Sequence, residues 1–270
     1  MAAAQESSIP KVLQITREYT KPGKAGMIHD RSESAFVQAM ARAKWPTYYM
    51  GMTSLSGPQR ALFLTRYDSF EAWEQDSAAV DKNATLSAAL DRAGMADGEL
   101  LASEDQGVFM FHDEMSLRPM ADLTHMRYLE ISSYRVRPGH DGEWIELVKL
   151  VKDAYEKGVP EAHWGMYQQV YGGEGGTYLV FTAHKSLAEV DRAFNEDDPK
   201  FVAALGEDGM KKFSDLIAAS VESSQHQLFA FNAHMSYVPS EWMKADDFWK
   251  PKAAAAPAAK PAAEEKKAKP

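Results

Sequence analysis

The chain has 270 residues, of which 45% are hydrophobic and 11% aromatic, enough for one large or two smaller packed cores. Its 30 basic and 39 acidic residues give a formal net charge of −9, which disfavours nucleic acid as a partner because that binding depends on clustered cations. The absence of cysteine excludes disulfides, thiolate nucleophiles and cysteine-ligated metals.

Membrane and export signals are the next features to consider. No apolar run approaches the roughly 20 residues that span a bilayer, so we expect no membrane association. The first residues lack a basic segment followed by an apolar one. We therefore expect a cytoplasmic protein. The alternative is an exported protein in which residues 2–5 are left from a removed signal peptide.

The first half of the chain predicts seven elements from its periodicity and turn residues. They are a strand at 11–19, a helix at 27–43, a hairpin of strands at 45–53 and 61–67, helical segments after Ser69 and at 84–93, and a strand at 107–115. The apolar face of the first helix contains Ile28, Phe36, Val37 and Met40, but residues 30–34 make its opening polar.

The second half predicts the same order of elements. They are a strand that starts at 128, a helix around 144–155, a hairpin at 163–171 and 177–184, helical segments after Ser186 and at 199–223, and a strand at 227–235. The glycine-rich residues 172–176 join two strands and have no lysine after them, so they indicate a hairpin turn and not a phosphate loop.

The two halves are copies of one unit. The stretch VLQITREYTKPG at 12–23 returns as YLEISSYRVRPG at 128–139, with an offset of 116 at the shared proline (138 − 22). Likewise FMFHDEMSLRP at 109–119 returns as FAFNAHMSYVP at 229–239, with an offset of 120 (229 − 109). Self-similarity at a nearly fixed period indicates a duplicated structural unit.

The order strand, helix, strand, strand, helix, strand predicts an α+β protein of two ferredoxin-like βαββαβ units. We place the units at 10–120 and 126–240, followed by an aromatic arm and a disordered tail at 241–270. The opening phrases YTKPGKAG and YRVRPGHDG resemble those of a tandem member of the dimeric α/β barrel superfamily, which includes antibiotic-biosynthesis monooxygenases, stress-responsive barrel proteins and NIPSNAP-type proteins.

The resemblance covers about residues 10–240 and implies that two sheets meet face to face around a cavity, usually between two chains and here within one. It matches no subfamily's catalytic residues, so none are transferred. We predict no cofactor, although the resemblance leaves haem open because some relatives bind it through one histidine. The eight histidines show no HxxxH, HxH or HExxH spacing, so the sequence predicts no histidine metal site.

Alternation along the first and fourth strands separates an apolar from a polar face in each unit. We expect Leu13, Ile15, Leu129 and Ile131 to face the helices, with the phenylalanines of the fourth strands. The polar face then lines the cavity and contains Gln14, Thr16, Glu18, His112, Glu114, Glu130, Ser132, Tyr134, Asn232 and His234. The alternative is a polar face that is exposed to solvent.

The leading candidate site pairs His234 with Glu130, because the first strand of this fold pairs with the fourth. A carboxylate beside an imidazole holds a general base in one tautomer. Substrate-binding candidates are Tyr134, Asn232, Ser132, His112, Glu114 and Thr16. The alternative is a buried histidine and glutamate that satisfy each other structurally.

The sequence thus predicts a small-molecule enzyme that acts on an apolar or aromatic metabolite by His-assisted proton transfer or cofactor-independent oxygenation. The alternative is a non-catalytic binding or assembly protein whose barrel is filled by side chains. An enclosed space of a few hundred cubic ångströms would favour the enzyme. Trp242, Phe248 and Trp249 should pack on their own chain or on a neighbour's, so we expect a monomer or a homodimer.

Overall fold

Eight antiparallel strands close into one barrel in the computed structural model, which describes residues 9–120 and 122–250. The strands are β1 (Val12–Thr20), β2 (Tyr49–Ser54), β3 (Arg60–Tyr67), β4 (Leu101–Phe111), β5 (Tyr128–Val136), β6 (Gly165–Tyr171), β7 (Thr177–His184) and β8 (Val221–Phe231). Their order around the barrel is β1-β3-β2-β8-β5-β7-β6-β4.

The principal helices lie on the outer face of this barrel. Those within the described residues are α1 (Met27–Ala43), α2 (Phe70–Lys82), α3 (Ala84–Gly98), α4 (Asp141–Gly158), α5 (Leu187–Arg192), α6 (Asp198–Ser220) and the short α7 (Ser240–Ala245). A π-helical turn, Ala193–Asp197, joins α5 to α6. Ser69 caps α2 as expected, since its side chain accepts a hydrogen bond from the Ala72 amide. Across the described ranges, no helix is long and apolar enough to cross a membrane.

Both halves have the same strand order, which confirms the predicted pair of ferredoxin-like units. The first half reads β4-β1-β3-β2 and the second β8-β5-β7-β6. Two seams join them: Met52 of β2 pairs with Phe231 of β8, and Phe111 of β4 pairs with Tyr167 of β6. One chain therefore supplies both sheets and closes the barrel by itself.

The fourth strand of each half begins about six residues earlier than the sequence predicts. Residues 102–106 and 222–226 are exposed and mostly polar, so periodicity does not mark them as strand. They nevertheless pair with the first strands, with Glu104 opposite Glu18 and Ser224 opposite Tyr134. Backbone hydrogen bonds hold these residues in the strand, and their side chains lack the apolar alternation that would predict it.

The predicted orientation of the two strand faces was wrong. Leu13, Ile15, Leu129 and Ile131 do not face the helices; they pack in the barrel interior with the buried Phe109 and Phe229. The polar residues of the same strands face outward, toward the helices, as the contact of Glu18 with His29 of α1 shows. Both faces are covered, and the more apolar one packs against the opposite sheet because that layer is remote from water.

The aromatic arm closes one mouth of the barrel. Trp249 is 2% exposed and donates a hydrogen bond from Nε1 to the Thr124 carbonyl, 2.6 Å away. Its ring lies 5.9 Å from Phe231 and 5.3 Å from Trp242. The arm thus packs on its own chain, one of the two expected arrangements. The predicted disordered tail, 251–270, lies outside the described residues.

Candidate functional site

A polar cluster lies on the outer face of the second half, where β5 runs between β7 and β8. We call it the outer-face cluster; it consists of Glu130, Ser132, Tyr134, His184 and His226. Glu130, Ser132 and Tyr134 share one side of β5 because they alternate along the strand. Register places His226 of β8 directly opposite Ser132, and His184 of β7 beside Glu130.

Hydrogen bonds connect three members of this cluster in a line. Ser132 Oγ donates to Glu130 Oε1 at 3.3 Å and lies 2.8 Å from His226 Nδ1. A hydroxyl has one proton, so when Ser132 donates it to Glu130, Nδ1 of His226 must donate to Ser132. The free lone pair of the imidazole is then on Nε2. His226 is exposed, whereas Ser132 is buried, so the line of hydrogen bonds runs from the protein toward solvent.

His184 is the buried end of the outer-face cluster. Its Nε2 lies 3.7 Å from Glu130 Oε2, too far for a hydrogen bond, and has no hydrogen-bond partner. The nearby His184 imidazole, together with the Ser132 hydroxyl, holds the pKa of Glu130 below its ordinary value despite partial burial. Burial raises the pKa of Tyr134, so its phenol stays protonated at neutral pH. The cluster therefore combines a carboxylate, a phenol donor and an exposed imidazole.

The predicted pairing of His234 with Glu130 is not formed. The first and fourth strands pair as expected, but Glu130 lies opposite Leu228, six residues before His234. His234 lies beyond β8, exposed in a 3₁₀ turn, where its amide donates to the Asn232 side chain. Asn232 itself donates to Asp30 at 2.9 Å. The early start of β8 is the reason, because it brings His226 into the strand and moves His234 past its end.

The first-half candidates are only partly brought together. His112 Nδ1 lies 2.8 Å from Glu114 Oε1, and its Nε2 lies 3.0 Å from Gln168 Oε1, just beyond the end of β4. Hydrogen bonding with His112 lowers the pKa of Glu114. Thr16 lies on the outer face of β1, opposite Phe63 and Gln106. The structure gives no contact between Thr16 and the His112–Glu114 pair.

A second cluster, fully buried, lies between β1 and the helices of the first half. We call it the buried acidic cluster: Glu18 of β1, His29 and Glu33 of α1, and Asp97 of α3. His29 Nε2 lies 3.0 Å from Glu18 Oε2, 3.4 Å from Asp97 Oδ1 and 3.9 Å from Glu33 Oε1. A single imidazole nitrogen thus faces three carboxyl groups.

The pKa values of the residues in the buried acidic cluster are strongly shifted from their ordinary values. Burial, followed by the charges of Glu18 and Asp97, raises the pKa of Glu33 to about 10. Burial alone would lower the pKa of His29, but the carboxylates of Asp97 and Glu18 outweigh it and raise that pKa to about 10. Burial also raises the pKa of Glu18, whereas the neighbouring His29 imidazole lowers that of Asp97 despite burial. In a chain without a bound cation, the cluster is neutralised by protons.

Sequence reasoning placed Glu18 on the polar face of β1 but missed the other three members of this cluster. His29 and Glu33 follow the same helical stripe as Phe36 and Met40, with spacings of four, three and four residues. Two ionisable side chains on an otherwise apolar stripe were the available signal. Asp97 lies beyond the predicted end of its helix at residue 93, so no pattern pointed to it.

A small cavity lies beside the interior-facing residues Leu13, Leu64 and Leu129. Its volume is about 70 Å³, and its lining is mostly apolar with Arg66, His163 and Tyr167. Small-molecule sites usually measure roughly 300–1,000 Å³, so a haem does not fit here unless the walls move. Both ring nitrogens of His163 face backbone carbonyls, at 3.1 and 3.0 Å, and it offers no free lone pair to an iron. The interior is filled by side chains.

Comparison with known proteins supports the fold through structure alone. No protein-family model matches the sequence, and no curated protein matches it significantly. The structure is similar to a "putative monooxygenase" from Fusobacterium nucleatum, with 10% identity, a TM-score of 0.53, and coverage of 82% of this chain and 91% of that one. The two proteins share a fold, which in this chain is a barrel closed by two ferredoxin-like units.

Two further structures agree with this assignment. A "putative monooxygenase" from Lactobacillus acidophilus NCFM matches with 7% identity and a TM-score of 0.50, over 83% of this chain and 94% of that one. An anthrone oxidase-like protein matches with 12% identity and a TM-score of 0.50, over 84% and 93%. At such identities the likeness concerns the α/β barrel fold, and the chemistry must be argued from the residues.

Proposed function

We propose that this α/β barrel protein is a small-molecule enzyme that removes a proton from an apolar or aromatic metabolite, with His226 as the general base. The observation that supports it is the line Glu130–Ser132–His226, in which a half-buried carboxylate and a buried hydroxyl orient an exposed imidazole. Fixing the Nδ1 proton leaves the Nε2 lone pair toward solvent, which is what a general base requires.

The proposed step moves one proton. A C–H or O–H proton of the substrate passes to Nε2 of His226, and the substrate keeps the electron pair as an anion. The imidazolium that forms is stabilised by Glu130 through the Ser132 hydroxyl. In this proposal Tyr134, whose ring lies 5.8 Å from that of His226, donates its phenol proton in a hydrogen bond to the substrate anion. The proton returns from His226 to product or to water.

Oxygenation without a cofactor would start from the same step. A carbanion formed beside His226 can add dioxygen and a proton to give a hydroperoxide, which loses water to give a ketone. In that sequence the substrate is oxidised, dioxygen is the oxidant, and the protein supplies only proton transfer and positioning. The similar structures described as monooxygenases are compatible with this chemistry but, at 7% and 10% identity, carry no residue-level argument for it.

A second candidate function, a non-catalytic binding or assembly protein, is favoured by one specific observation. The barrel interior is packed with side chains such as Phe109, Phe229 and Ile131, and the cavity beside Leu13 and Leu129 measures about 70 Å³. A substrate enclosed between the sheets has no room there. The enzyme hypothesis therefore depends on the outer-face cluster and not on the interior.

Deuterium exchange distinguishes the two functions. The full chain is incubated in D₂O with a panel of phenols, 1,3-diketones and anthrone-type carbon acids, and C–H exchange is followed by proton NMR. We expect exchange above the buffer rate for at least one class, and loss of that exchange in His226→Gln. His234→Gln is the matched control, because it removes the exposed histidine that lies outside the cluster. Exchange that survives in His226→Gln contradicts the proposed base; binding of an apolar compound without any exchange supports the non-catalytic function.

A further inference from the structure

The buried acidic cluster gathers three carboxyl groups around one imidazole. Glu18, His29, Glu33 and Asp97 are between 2% and 8% exposed, so the three carboxyl groups lie in a low-dielectric layer. A buried ionised group costs several kcal/mol unless it is paired and hydrogen-bonded. One imidazole is the only basic side chain among these four residues, and it has one Nε2 proton to share.

Two carboxyl oxygens of the cluster have no hydrogen-bond partner. Glu33 Oε1 and Asp97 Oδ1 are both buried and unsatisfied, although each side chain points at the same place as His29 Nε2. Buried polar atoms without a partner are rare in folded proteins. Here they converge on one point, which either a proton shared between the carboxyl groups or a bound cation would satisfy.

The corresponding layer of the second half shows that the fold itself does not need acidic groups there. Tyr134 occupies the repeat position of Glu18, at the offset of 116 (134 − 18). Around it, Trp144 and Val148 of α4 and Leu216 of α6 form an apolar core. The repeat position of Glu18 therefore has apolar surroundings in the second half and acidic surroundings in the first, so His29, Glu33 and Asp97 are specific to the first half.

We propose that Glu18, His29, Glu33 and Asp97 bind one divalent cation that joins β1, α1 and α3. Their ligand atoms lie within 4.8 Å of one another. The four ligand atoms of a tetrahedral cation lie about 3.3–3.6 Å apart when each bond is about 2.0–2.2 Å, so the widest pair must close by about 1 Å or slightly more when the cation binds. A divalent cation offsets two of the three carboxylate charges and leaves His29 neutral.

The donor set defines the class of cation. One imidazole nitrogen and three carboxylate oxygens, with no thiolate, suit Mn²⁺, Fe²⁺ or Zn²⁺ better than softer ions. Because all four ligands are buried, no coordination position faces solvent for a substrate. The cation is accordingly structural, and it lies on the first half of the chain, away from the outer-face cluster of the second half.

The test uses the full chain, stripped with a chelator and dialysed against MnCl₂ or ZnCl₂ in separate samples. Retained metal is counted by mass spectrometry, and thermal unfolding is recorded with and without each ion. We expect one cation per chain and a Tm rise of about 5 °C at a hundredfold excess over Kd. Binding of either ion supports the proposal, provided that the ligand variants described next bind that ion more weakly.

Glu33→Gln is the decisive variant because it keeps the shape of the side chain and removes one ligand charge. We expect it to fold, to be at least as stable as the stripped wild type, and to bind the cation at least about tenfold more weakly. Asp97→Asn should behave in the same way. Glu114→Gln, from the exposed His112–Glu114 pair, is the matched control and should bind as the wild type does. Absence of stoichiometric binding in the wild type, or equal Tm shifts in wild type and Glu33→Gln, overturns the proposal.

Discussion

The Ser132 hydroxyl lies 2.8 Å from Nδ1 of His226, on neighbouring antiparallel strands where the two residues are direct partners. If this contact orients a general base, His226→Gln should lower the catalysed exchange rate by about 10²–10⁴-fold. Ser132→Ala should cause a smaller loss. Rates are measured with whichever compound of the NMR panel exchanges.

The split between kcat and KM shows whether Ser132 is a positioning residue. We expect Ser132→Ala to lower kcat and kcat/KM together and to leave KM unchanged, because it misorients the imidazole without touching the substrate. A rise in KM alone would show that Ser132 binds substrate. Circular dichroism of each variant checks that the barrel is intact.

Trp249 stabilises the closed barrel mouth. Trp249→Ala should lower the free energy of unfolding by about 3–5 kcal/mol, since it leaves a cavity beside Phe231 and an unpaired Thr124 carbonyl. Trp242→Ala, at a half-buried position, should cost clearly less. Equilibrium unfolding in urea measures both. Equal losses would mean that the arm does not pack as described.

Asp246 connects the aromatic arm to Arg127 and His125 through ion pairs that depend on pH. Its carboxylate lies 2.5 Å from Arg127 and 3.1 Å from His125, and the Arg127 contact is the main cause that lowers its pKa to about 2. A depressed folded-state pKa stabilises the fold above the ordinary value of 3.8, and that stability is lost as pH falls toward 2. Asp246→Asn should remove this dependence between about pH 4 and 2. Tm measured across that range, for both proteins, is the check.

Gly51 lets β2 approach the turn after β8. A Cβ at this position would lie 2.4 Å from the Met235 carbonyl oxygen, which is backbone and cannot rotate away. Gly51→Ala should therefore destabilise the fold by about 1–3 kcal/mol or more. Gly165→Ala is the control, because its added Cβ would meet neighbours no closer than 3.6 Å. Similar unfolding curves for the two variants would contradict this account.

The duplicated fold was predictable because its signals are local. The Pro-Gly stops after β1 and β5, and the paired phenylalanines of β4 and β8, recur at nearly constant offsets and mark the same elements. The faces of the strands were not predictable in the same way. Alternation shows that Leu129 and Glu130 lie on opposite faces of β5. It does not show which face packs against the helices and which against the opposite sheet.

The candidate sites depend on tertiary register, which the sequence shows only weakly. His226 follows a run of polar residues, VESSQ, that carries no strand pattern, so its place opposite Ser132 was missed. The buried acidic cluster gathers residues from β1, α1 and α3 that are far apart in sequence, such as Glu18 and Asp97. Only His29 and Glu33, one turn apart on an apolar stripe, left a sequence signal.

The two seams that close the barrel also set an order of events during synthesis. Met52 pairs with Phe231, 179 residues later (231 − 52). At translation rates of about 5–20 residues per second, β2 waits roughly 10–40 s after its own synthesis for its partner strand. Until then the β2 edge of the first sheet is uncovered in the nascent chain. In a single chain, closure of the barrel thus depends on the time that translation takes and not on the concentration of a second subunit.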